Sequence, residues 1–325
     1  MILIITNRFD SHADFVIEKL WRKGIQFSRF NTDDYPTQND ASFSAGFGKQ
    51  NSVTMKLHGQ EVKAEQIKSV WYRRPMRCFV SPIINQEARK FATDECQAFC
   101  EGLWAVLSHA LWVSYPARIR EAQNKMLQLR LAEKLGFRTP RTLITSDPRR
   151  FLVFWEECNG EVIYKALGFN TTRSNEGRLQ FAYTNKLDTG FLARSAEIAL
   201  APCLFQEYIP KKVELRITVV ADRVFACEIH SQKSERAKID WRHYDLENTP
   251  HLPCTLPVEV KEQCLELVKE LGLQFGAIDM IVTPGGEYVF VEINPNGQWL
   301  WIEQLTNLLI SEALIELLTQ QSKSR

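Results

Sequence analysis

The sequence predicts a protein of mixed α/β and α+β class, and three observations support this prediction. The chain has 325 residues, more than one ordinary hydrophobic core accommodates. It opens with a strand, an amphipathic helix and another strand, as parallel α/β units do. Further along, runs of strands are separated by few helices, as in α+β units. We therefore expect an N-terminal α/β domain at 1–115, a central subdomain at 116–200 and a C-terminal subdomain at 201–325.

The N-terminal unit shows the alternation of strands and helices most clearly. Its predicted strands are Ile2–Thr6, Gln26–Phe30, Ser42–Ala45, Ser52–Leu57 and Ser69–Tyr72, and its predicted helices are Ser11–Lys23 and Asn85–His109. Pro116 follows the second helix and marks the boundary that we expect.

The central unit begins with a predicted helix, Arg118–Leu135, which Gly136 ends as its C-cap residue. The next predicted elements are a strand at Thr142–Thr145, a helix at Asp147–Cys158 and a strand at Glu161–Lys165. A polar, glycine-containing segment then separates two strands, which predicts a mobile hairpin.

The C-terminal unit is rich in strands. The predicted strands are Leu204–Tyr208, Val213–Val220, Val224–His230, Phe275–Thr283 and Glu287–Ile293, and the predicted helices are Pro257–Leu271 and Trp301–Leu318. A long polar stretch, Ser231–Pro257, precedes the first of these helices.

Composition excludes several classes of protein. The net charge of +1 argues against nucleic acid or an anionic membrane as a partner. The apolar run Ile2–Ile5 is too short for a signal peptide or a membrane span. The eight cysteines form no CxxC pair and the six histidines are dispersed, so we expect no zinc site. These features predict a cytoplasmic protein with reduced thiols.

Two polar residues interrupt an apolar strand near the C-terminus. Residues 288–299 read YVFVEINPNGQW, in which Glu292 and Asn294 alternate and so share one face. The preceding strand is joined to this one through Pro284-Gly285-Gly286. A two-residue hairpin loop at Gly285-Gly286 would place Asp279 directly opposite Glu292, with Cβ atoms about 4.5–5.5 Å apart.

Two carboxylates and an amide oxygen would then converge on one face. Like charges placed opposite each other are destabilising unless something offsets them. Mg²⁺ would do so, because it prefers oxygen ligands and usually bridges to substrate phosphates. The alternative is a solvated hairpin face beside Lys or Arg, but neither strand carries one. The sequence therefore predicts that Asp279, Glu292 and Asn294 bind Mg²⁺.

Cationic residues elsewhere are candidates for binding phosphate. Lys125 begins a helix and Lys165 ends a strand, and an ammonium group at either place would suit a phosphate. The alternative for each is a solvated surface lysine. Glu214 and Arg216 share one face of an alternating strand and would serve a ribose hydroxyl and a phosphate or carboxylate. The alternative for this pair is a surface ion pair, which contributes little.

Two further segments remain open to more than one interpretation. Backbone groups of Gln206-Glu207-Tyr208-Ile209, just before Pro210, would contact a purine edge, or the segment is simply an edge strand. Arg73 and Arg74 follow two aromatic residues at a strand end and would bind an acidic partner. An exposed loop explains that pair equally well.

Together these residues resemble an ATP-grasp ligase over nearly the whole chain. The matching residues are, in order, Asn124-Lys125, Lys165, Gln206-Glu207-Tyr208-Ile209, Glu214-Leu215-Arg216, Asp279 and Glu292-Ile293-Asn294-Pro295. Within that family the chain looks most like the microviridin-type graspetide ligases, which macrocyclise ribosomal peptides. This similarity rests on VWYRRP at 70–75, FQEYIPKKVELRITVV at 205–220, DWR at 240–242 and GAIDMIVTPGGEYVFVEINPNGQW at 276–299. More distantly, the chain resembles the ligases that add glutamate to a ribosomal protein, which lack the WYRRP-like segment.

The resemblance implies an ATP-grasp fold with an N-terminal α/β domain, and ATP between the two later subdomains. It also implies a role for each matching residue. Lys125 and Lys165 would contact phosphates, Gln206, Glu207, Tyr208 and Ile209 would line the adenine site, and Glu214 would hold the ribose. Arg216 and Arg242 would stabilise phosphate or an acyl phosphate, and Asp279, Glu292 and Asn294 would hold Mg²⁺. Arg73 and Arg74 are candidates for binding the peptide.

The implied reaction activates an Asp or Glu side chain of a precursor peptide as an acyl phosphate. A Ser or Thr hydroxyl or a Lys amine then captures it, which gives an ω-ester or ω-amide ring. The hairpin at 168–177 would act as a lid that excludes water. The expected partner is a precursor peptide with leader and core, and the relatives suggest a homodimer. Two alternatives remain, a ligase that adds a free amino acid and a non-catalytic ATP-binding module.

Overall fold

The structure is a computed structural model that describes residues 1–46, 49–168, 171–173, 179–181, 183–241 and 245–320. For 49–50, 171–173 and 179–181 the backbone alone is described. The strands are β1 (Ile2–Thr6), β2 (Phe27–Asn31), β3 (Asp40–Gly46), β4 (Lys49–Leu57), β5 (Gln60–Lys63), β6 (Ser69–Tyr72), β7 (Leu111–Val113), β8 (Thr142–Thr145), β9 (Val162–Lys165), β10 (Thr171–Arg173), β11 (Leu179–Phe181), β12 (Asn185–Lys186), β13 (Cys203–Glu207), β14 (Val213–Val220), β15 (Arg223–Ile229), β16 (His251–Cys254), β17 (Phe275–Val282) and β18 (Tyr288–Asn294). The helices are α1 (Ser11–Arg22), α2 (Gln86–Val106), α3 (Pro116–Ala122), α4 (Lys125–Lys134), α5 (Pro148–Glu157), α6 (Thr189–Leu192), α7 (Val258–Glu270), α8 (Leu300–Thr306) and α9 (Ile310–Thr319).

A parallel sheet in the order β2-β1-β6-β7 forms the base of the N-terminal unit. β1 is buried throughout because Ile2 and Ile4 pack toward α1, while Leu3 and Ile5 pack toward α2. The predicted α/β character of this unit is confirmed. Strand β7 was missed, because it is short. Strands β3, β4 and β5 form a separate antiparallel sheet.

The central unit is built on an antiparallel sheet in the order β12-β9-β13-β8. Strands β10 and β11 pair as a separate antiparallel ribbon. We expected β13 among the strands of the C-terminal unit, but it pairs with β8 and β9 instead. This sheet therefore takes a strand from beyond residue 200, and the division of the chain into three domains stays a prediction.

The third large sheet is antiparallel, in the order β16-β15-β14-β17-β18. Its central strand, β14, is buried at every position. Leu215 and Ile217 belong to the core that includes α7, so Glu214, Arg216 and Thr218 face the other side of the sheet. The alternation read from the sequence is confirmed. Strand β16 lies inside the long polar stretch, where we predicted no strand.

Two predicted helices are each broken in two. The predicted Arg118–Leu135 helix consists of α3 and α4, because the side chain of Asn124 accepts from the N–H of Leu127 at 3.1 Å and begins a new helix. Lys125 is therefore the first residue of α4. The predicted C-terminal helix is divided at Asn307, whose φ of +57° ends α8.

The N-terminal and C-terminal units share a hydrophobic core. Ile4 and Val16 belong to the same cluster as Val220, Trp299 and Leu314. The segment that follows β18 is thereby packed against the N-terminal unit. Within the part of the chain that the structure describes, no helix has the length and apolar character needed to span a membrane.

Candidate active site

The β17–β18 hairpin pairs Asp279 with Glu292, as predicted. The predicted loop, however, is wrong, because three residues rather than two separate Thr283 from Glu287, whose carbonyl accepts from the Thr283 N–H at 3.0 Å. Gly286 takes the left-handed φ of +83° in this loop. The longer loop shifts the register near the turn, and a β-bulge between Asp279 and Met280 shifts it back. The predicted pairing is right because these two shifts cancel.

Cations from two other elements neutralise the carboxylate pair. Arg216 on β14 donates from Nη1 to both oxygens of Asp279, at 2.8 and 2.9 Å. Lys125 at the start of α4 forms an ion pair with Glu292. Nδ2 of Asn294 lies 3.3 Å from Asp279 Oδ2 and 3.2 Å from Glu292 Oε1. The hairpin strands carry no cation, as read from the sequence, but the neighbouring elements supply two.

The chemistry of this cluster fits a magnesium–nucleotide site. Two carboxylates and an amide offer the oxygen ligands that Mg²⁺ prefers. Among the residues with described side chains, no cluster of three or more His, Cys, Asp or Glu side chains is placed so that it could hold a metal ion. A set with few protein ligands suits Mg²⁺, which usually completes its shell with waters and phosphate oxygens. The assignment of Asp279, Glu292 and Asn294 as ligands stays a prediction.

A cleft of about 730 Å³, part of it open to solvent, lies between the central sheet and the third sheet. Many of the residues selected from the sequence line it, namely Lys165, Gln206, Glu207, Tyr208, Ile209, Glu214, Asp279 and Glu292. Lys125, Arg216 and Asn294 are in contact with two of these lining carboxylates. The fold therefore brings the dispersed candidates to one place.

One end of the cleft is formed by β13 and the residues after it. β13 pairs on both sides, so the alternative of an edge strand is wrong. Gln206 is buried and donates from Nε2 to Thr142 Oγ1 at 2.9 Å. Glu207 is held by Arg141 at 3.1 and 3.2 Å, and this interaction lowers the pKa of the Glu207 carboxyl. The backbone N–H of Glu207 is engaged as well, because it donates to the carbonyl of Arg141 at 2.9 Å.

Glu214 lines the cleft and is buried. Its Oε1 accepts from Lys211 Nζ at 2.8 Å, and Lys211 also donates to the carbonyl of Ile239 at 2.8 Å. Burial raises the pKa of Glu214, while the charge of Lys211 acts in the opposite direction. Glu214 and Arg216 are 8% and 4% exposed, so the alternative of a surface ion pair is wrong.

The two adjacent arginines of the N-terminal unit differ sharply. Arg73 is 1% exposed, and its Nη1 donates to the carbonyl of Asn296, just beyond β18. Burial lowers the pKa of Arg73 to about 10. Arg74 is exposed. The alternative of an exposed loop therefore holds for Arg74 alone, and a peptide-binding role for either arginine stays a prediction.

Two predicted features lie outside the described residues. Arg242 is one of them, although its neighbour Trp241 lines the cleft. Most of the predicted lid at 168–177 is the other, with only the β10 backbone described beyond Gly168. Their roles stay predictions.

Three residues near the site were missed in the sequence. Gln128 is buried and donates to the carbonyl of Ile293 at 2.8 Å while accepting from its N–H at 3.2 Å, so it fixes β18 between Glu292 and Asn294. Its spacing of three residues from Lys125 on one helix was the available signal. Lys211 had a similar signal, its position three residues before Glu214. The ring centroid of Trp241 lies 5.9 Å from Arg216 Cζ. Apart from the family resemblance, the sequence carried no signal that pointed to Trp241.

The chain is similar in sequence and fold to several known proteins. Residues 1–120 match the family model of the MvdD pre-ATP grasp domain. A RiPP-associated ATP-grasp ligase from Chryseobacterium gregarium, solved with ADP and a leader and core peptide, is 33% identical, with 98% of this chain and 96% of that chain covered and a TM-score of 0.90. A comparison with curated proteins found no match.

Two macrocyclases from Microcystis aeruginosa MRC are similarly close. MdnC, solved with its precursor peptide MdnA, is 30% identical with a TM-score of 0.86, and 98% of each chain is covered. MdnB is 32% identical with a TM-score of 0.82, again with 98% of each chain covered. Since sequence and fold agree over nearly the whole length, the chain belongs to the graspetide family of ATP-grasp ligases.

Proposed function

We propose that the protein closes macrocycles in a ribosomal precursor peptide at the expense of ATP. A side-chain carboxylate of the peptide attacks the γ-phosphorus of ATP, which yields an acyl phosphate and ADP. A Ser or Thr hydroxyl, or a Lys amine, then attacks the acyl carbon and releases phosphate, so that an ω-ester or ω-amide bond closes the ring. The precursor peptides bound to MdnC and to the Chryseobacterium ligase support a peptide substrate.

The cluster of oxygen-bearing and cationic side chains at one end of the cleft carries this proposal. ATP and Mg²⁺ are the cofactors, with Asp279, Glu292 and Asn294 as the metal ligands. When bound, Mg²⁺ supplies charge neutralisation for the phosphates. Lys125 and Arg216 hold Glu292 and Asp279 in place, and the cationic side chains of both residues would suit phosphate oxygens nearby.

Other residues of the cleft serve binding and the exclusion of water. Lys165 contacts phosphate, Glu214 binds the ribose, and Gln206, Glu207, Tyr208 and Ile209 bind the base. Arg242 lies outside the described residues, and its assignment to phosphate rests on the family resemblance alone. Ile163, Ile209 and Met280 give the cleft apolar walls, which suits a reaction whose acyl phosphate water would hydrolyse. A homodimer and a cytoplasmic location complete the proposal.

Mass spectrometry of a precursor peptide tests this function directly. A precursor peptide incubated with the protein, ATP and Mg²⁺ should lose the mass of one water for each ring, with one ADP formed per ring. A gain in mass equal to an amino acid would show the alternative ligase instead. Binding of ATP without ADP release, with every peptide and amino acid supplied, would show a non-catalytic module. Either result overturns the proposal.

A further inference from the structure

The loop that follows the metal-ligand strand, residues 294–299, is held by the N-terminal unit. We call this segment the ligand loop. Arg73 donates from Nη1 to the carbonyl of Asn296 in the middle of the loop. Trp299 at its end is 1% exposed, and its ring centroid lies 5.1 Å from that of His12 at an edge-on angle of 79°. Two contacts from distant parts of the sequence thus fix the loop from one side.

The other side of the ligand loop is held within the third sheet. Arg216 donates from Nη2 to the carbonyl of Gln298 at 2.9 Å, while its Nη1 binds Asp279. Gly297 packs so tightly that a Cβ there would lie 2.4 Å from the Cβ of Ala277 and 2.8 Å from Nη2 of Arg216. A displacement of the loop would therefore move Arg216 as well as Asn294.

The surroundings of Arg73 point to this loop as its target. Its backbone N–H donates to the carbonyl of Ile5 at 2.9 Å, which ties the residue to β1. Among the described residues, its Nε and Nη2 are buried without a hydrogen-bond partner. Burying a guanidinium is costly unless it forms hydrogen bonds. The hydrogen bond that the structure shows for the Arg73 side chain is the one to the carbonyl of Asn296.

We propose that Arg73 is a positioning residue that holds the ligand loop, and with it Asn294 and Arg216, in the geometry that the metal–nucleotide complex needs. This inference rests on the proposed function, and it gives Arg73 a role different from peptide binding. A side chain that is 1% exposed is poorly placed to contact a peptide, whereas the neighbouring Arg74 is exposed and keeps that candidate role.

The test compares Arg73→Met and Arg73→Lys with Arg74→Met, a change of the adjacent, exposed arginine. Mn²⁺ serves as a paramagnetic probe, titrated in the presence of ADP, and hydrogen exchange reports on the loop. Arg73→Met should weaken Mn²⁺ binding about tenfold or more, as the loss of groups that orient metal ligands typically does. It should also speed exchange at Gly297, whose N–H donates to the Asn294 carbonyl at 3.1 Å.

The variants separate positioning from peptide binding. Arg73→Lys can still donate to Asn296 and should give an intermediate Mn²⁺ affinity, while the KM for the peptide stays near the wild-type value in both Arg73 variants. Arg74→Met should leave Mn²⁺ affinity and loop exchange unchanged. A wild-type Mn²⁺ affinity in Arg73→Met, together with a raised peptide KM, would overturn the inference.

Two further outcomes keep the inference apart from the proposed function. If the wild-type protein binds no Mn²⁺ with ADP, the proposed function fails, and loop exchange in Arg73→Met still decides whether Arg73 holds the loop. If Arg73→Met does not fold, Arg73→Lys carries the test. A folded Lys variant with wild-type Mn²⁺ affinity and wild-type loop exchange then counts against the inference, and a weakened affinity supports it.

Discussion

The two ends of the cleft are built in different ways. At the end that we propose binds phosphate, here called the phosphate end, α4, β14, β17 and β18 each supply a charged or amide side chain, and Arg216–Asp279 and Lys125–Glu292 are paired. At the end that we propose binds the base, here called the base end, the cleft is lined by β13 and the residues after it. The ion pair there, Glu207 with Arg141, lies at the surface, where the Arg141 side chain is 50% exposed.

This difference predicts where the protein tolerates change. A charge removed from the phosphate end leaves its partner unpaired in a largely buried setting, which is costly. A charge removed from the base end leaves its partner in contact with water, which costs little. The phosphate end also rests on the N-terminal unit through His12 and Trp299, so that part of its stability comes from residues far from the cleft.

The largest effect is expected from Glu292→Gln. The change removes a proposed metal ligand and leaves Lys125 without its carboxylate partner, so kcat/KM should fall about a thousandfold or more, as for other groups that stabilise charge at a reacting centre. Glu287→Gln on the same hairpin is the matched control. Glu287 pairs with Arg138 at the surface, and its loss should leave activity near wild type. Retained activity in Glu292→Gln would refute the metal assignment.

Arg216→Lys should have the next largest effect. One guanidinium binds both oxygens of Asp279 and the carbonyl of Gln298, an arrangement that a single ammonium group does not reproduce. We expect kcat to fall about a hundredfold in steady-state ADP release. Arg223→Lys, in an exposed ion pair on the neighbouring strand, is the control. Equal rates in the two variants would mean that positive charge alone is sufficient at position 216.

The same contrast explains what the sequence could and could not predict. The alternation of Glu214 and Arg216 and the pairing of Asp279 with Glu292 follow from the period of a strand and the closure of a hairpin. These are local rules, so they were predictable. Even there, the sequence did not reveal the longer loop or the β-bulge, because their opposite register shifts cancel at the Asp279–Glu292 pair.

Features set by long-range packing were not predictable. The register of β14 against β17 places Arg216 beside Asp279, and no local pattern connects two strands that lie so far apart in the sequence. Lys125 pairs with Glu292, which lies 167 residues further along the chain. Arg73 looked like Arg74 in the sequence, and only the folded structure shows that Arg73 is buried while Arg74 is exposed.

Acid should weaken the contact between the phosphate end and the N-terminal unit. Burial lowers the pKa of His12 from 6.5 to about 3, and the charge of Arg73 acts in the same direction. Between these values the unfolded chain binds a proton that the folded protein does not, so stability falls as the pH falls. From pH 7 to pH 5 this contributes a loss of about 2 kcal/mol, about 30-fold in the unfolding equilibrium.

Urea unfolding at both pH values measures this effect. His12→Gln should lose that part of the pH dependence, while His58→Asn, which changes an exposed histidine, should keep the wild-type dependence. An equal loss of stability on acidification in wild type and His12→Gln would show that His12 is not the titrating group.

The smallest effect is expected from Glu207→Gln, the same chemical change as Glu292→Gln at the opposite end of the cleft. It removes an ion pair with a half-exposed arginine, so the KM for ATP should change less than about fivefold. The backbone of β13 stays in place because it pairs with β8 and β9 on both sides. Steady-state kinetics at varied ATP measures this. A loss comparable to that of Glu292→Gln would mean that the carboxylate of Glu207 contacts the nucleotide itself, and that both ends of the cleft depend on charge.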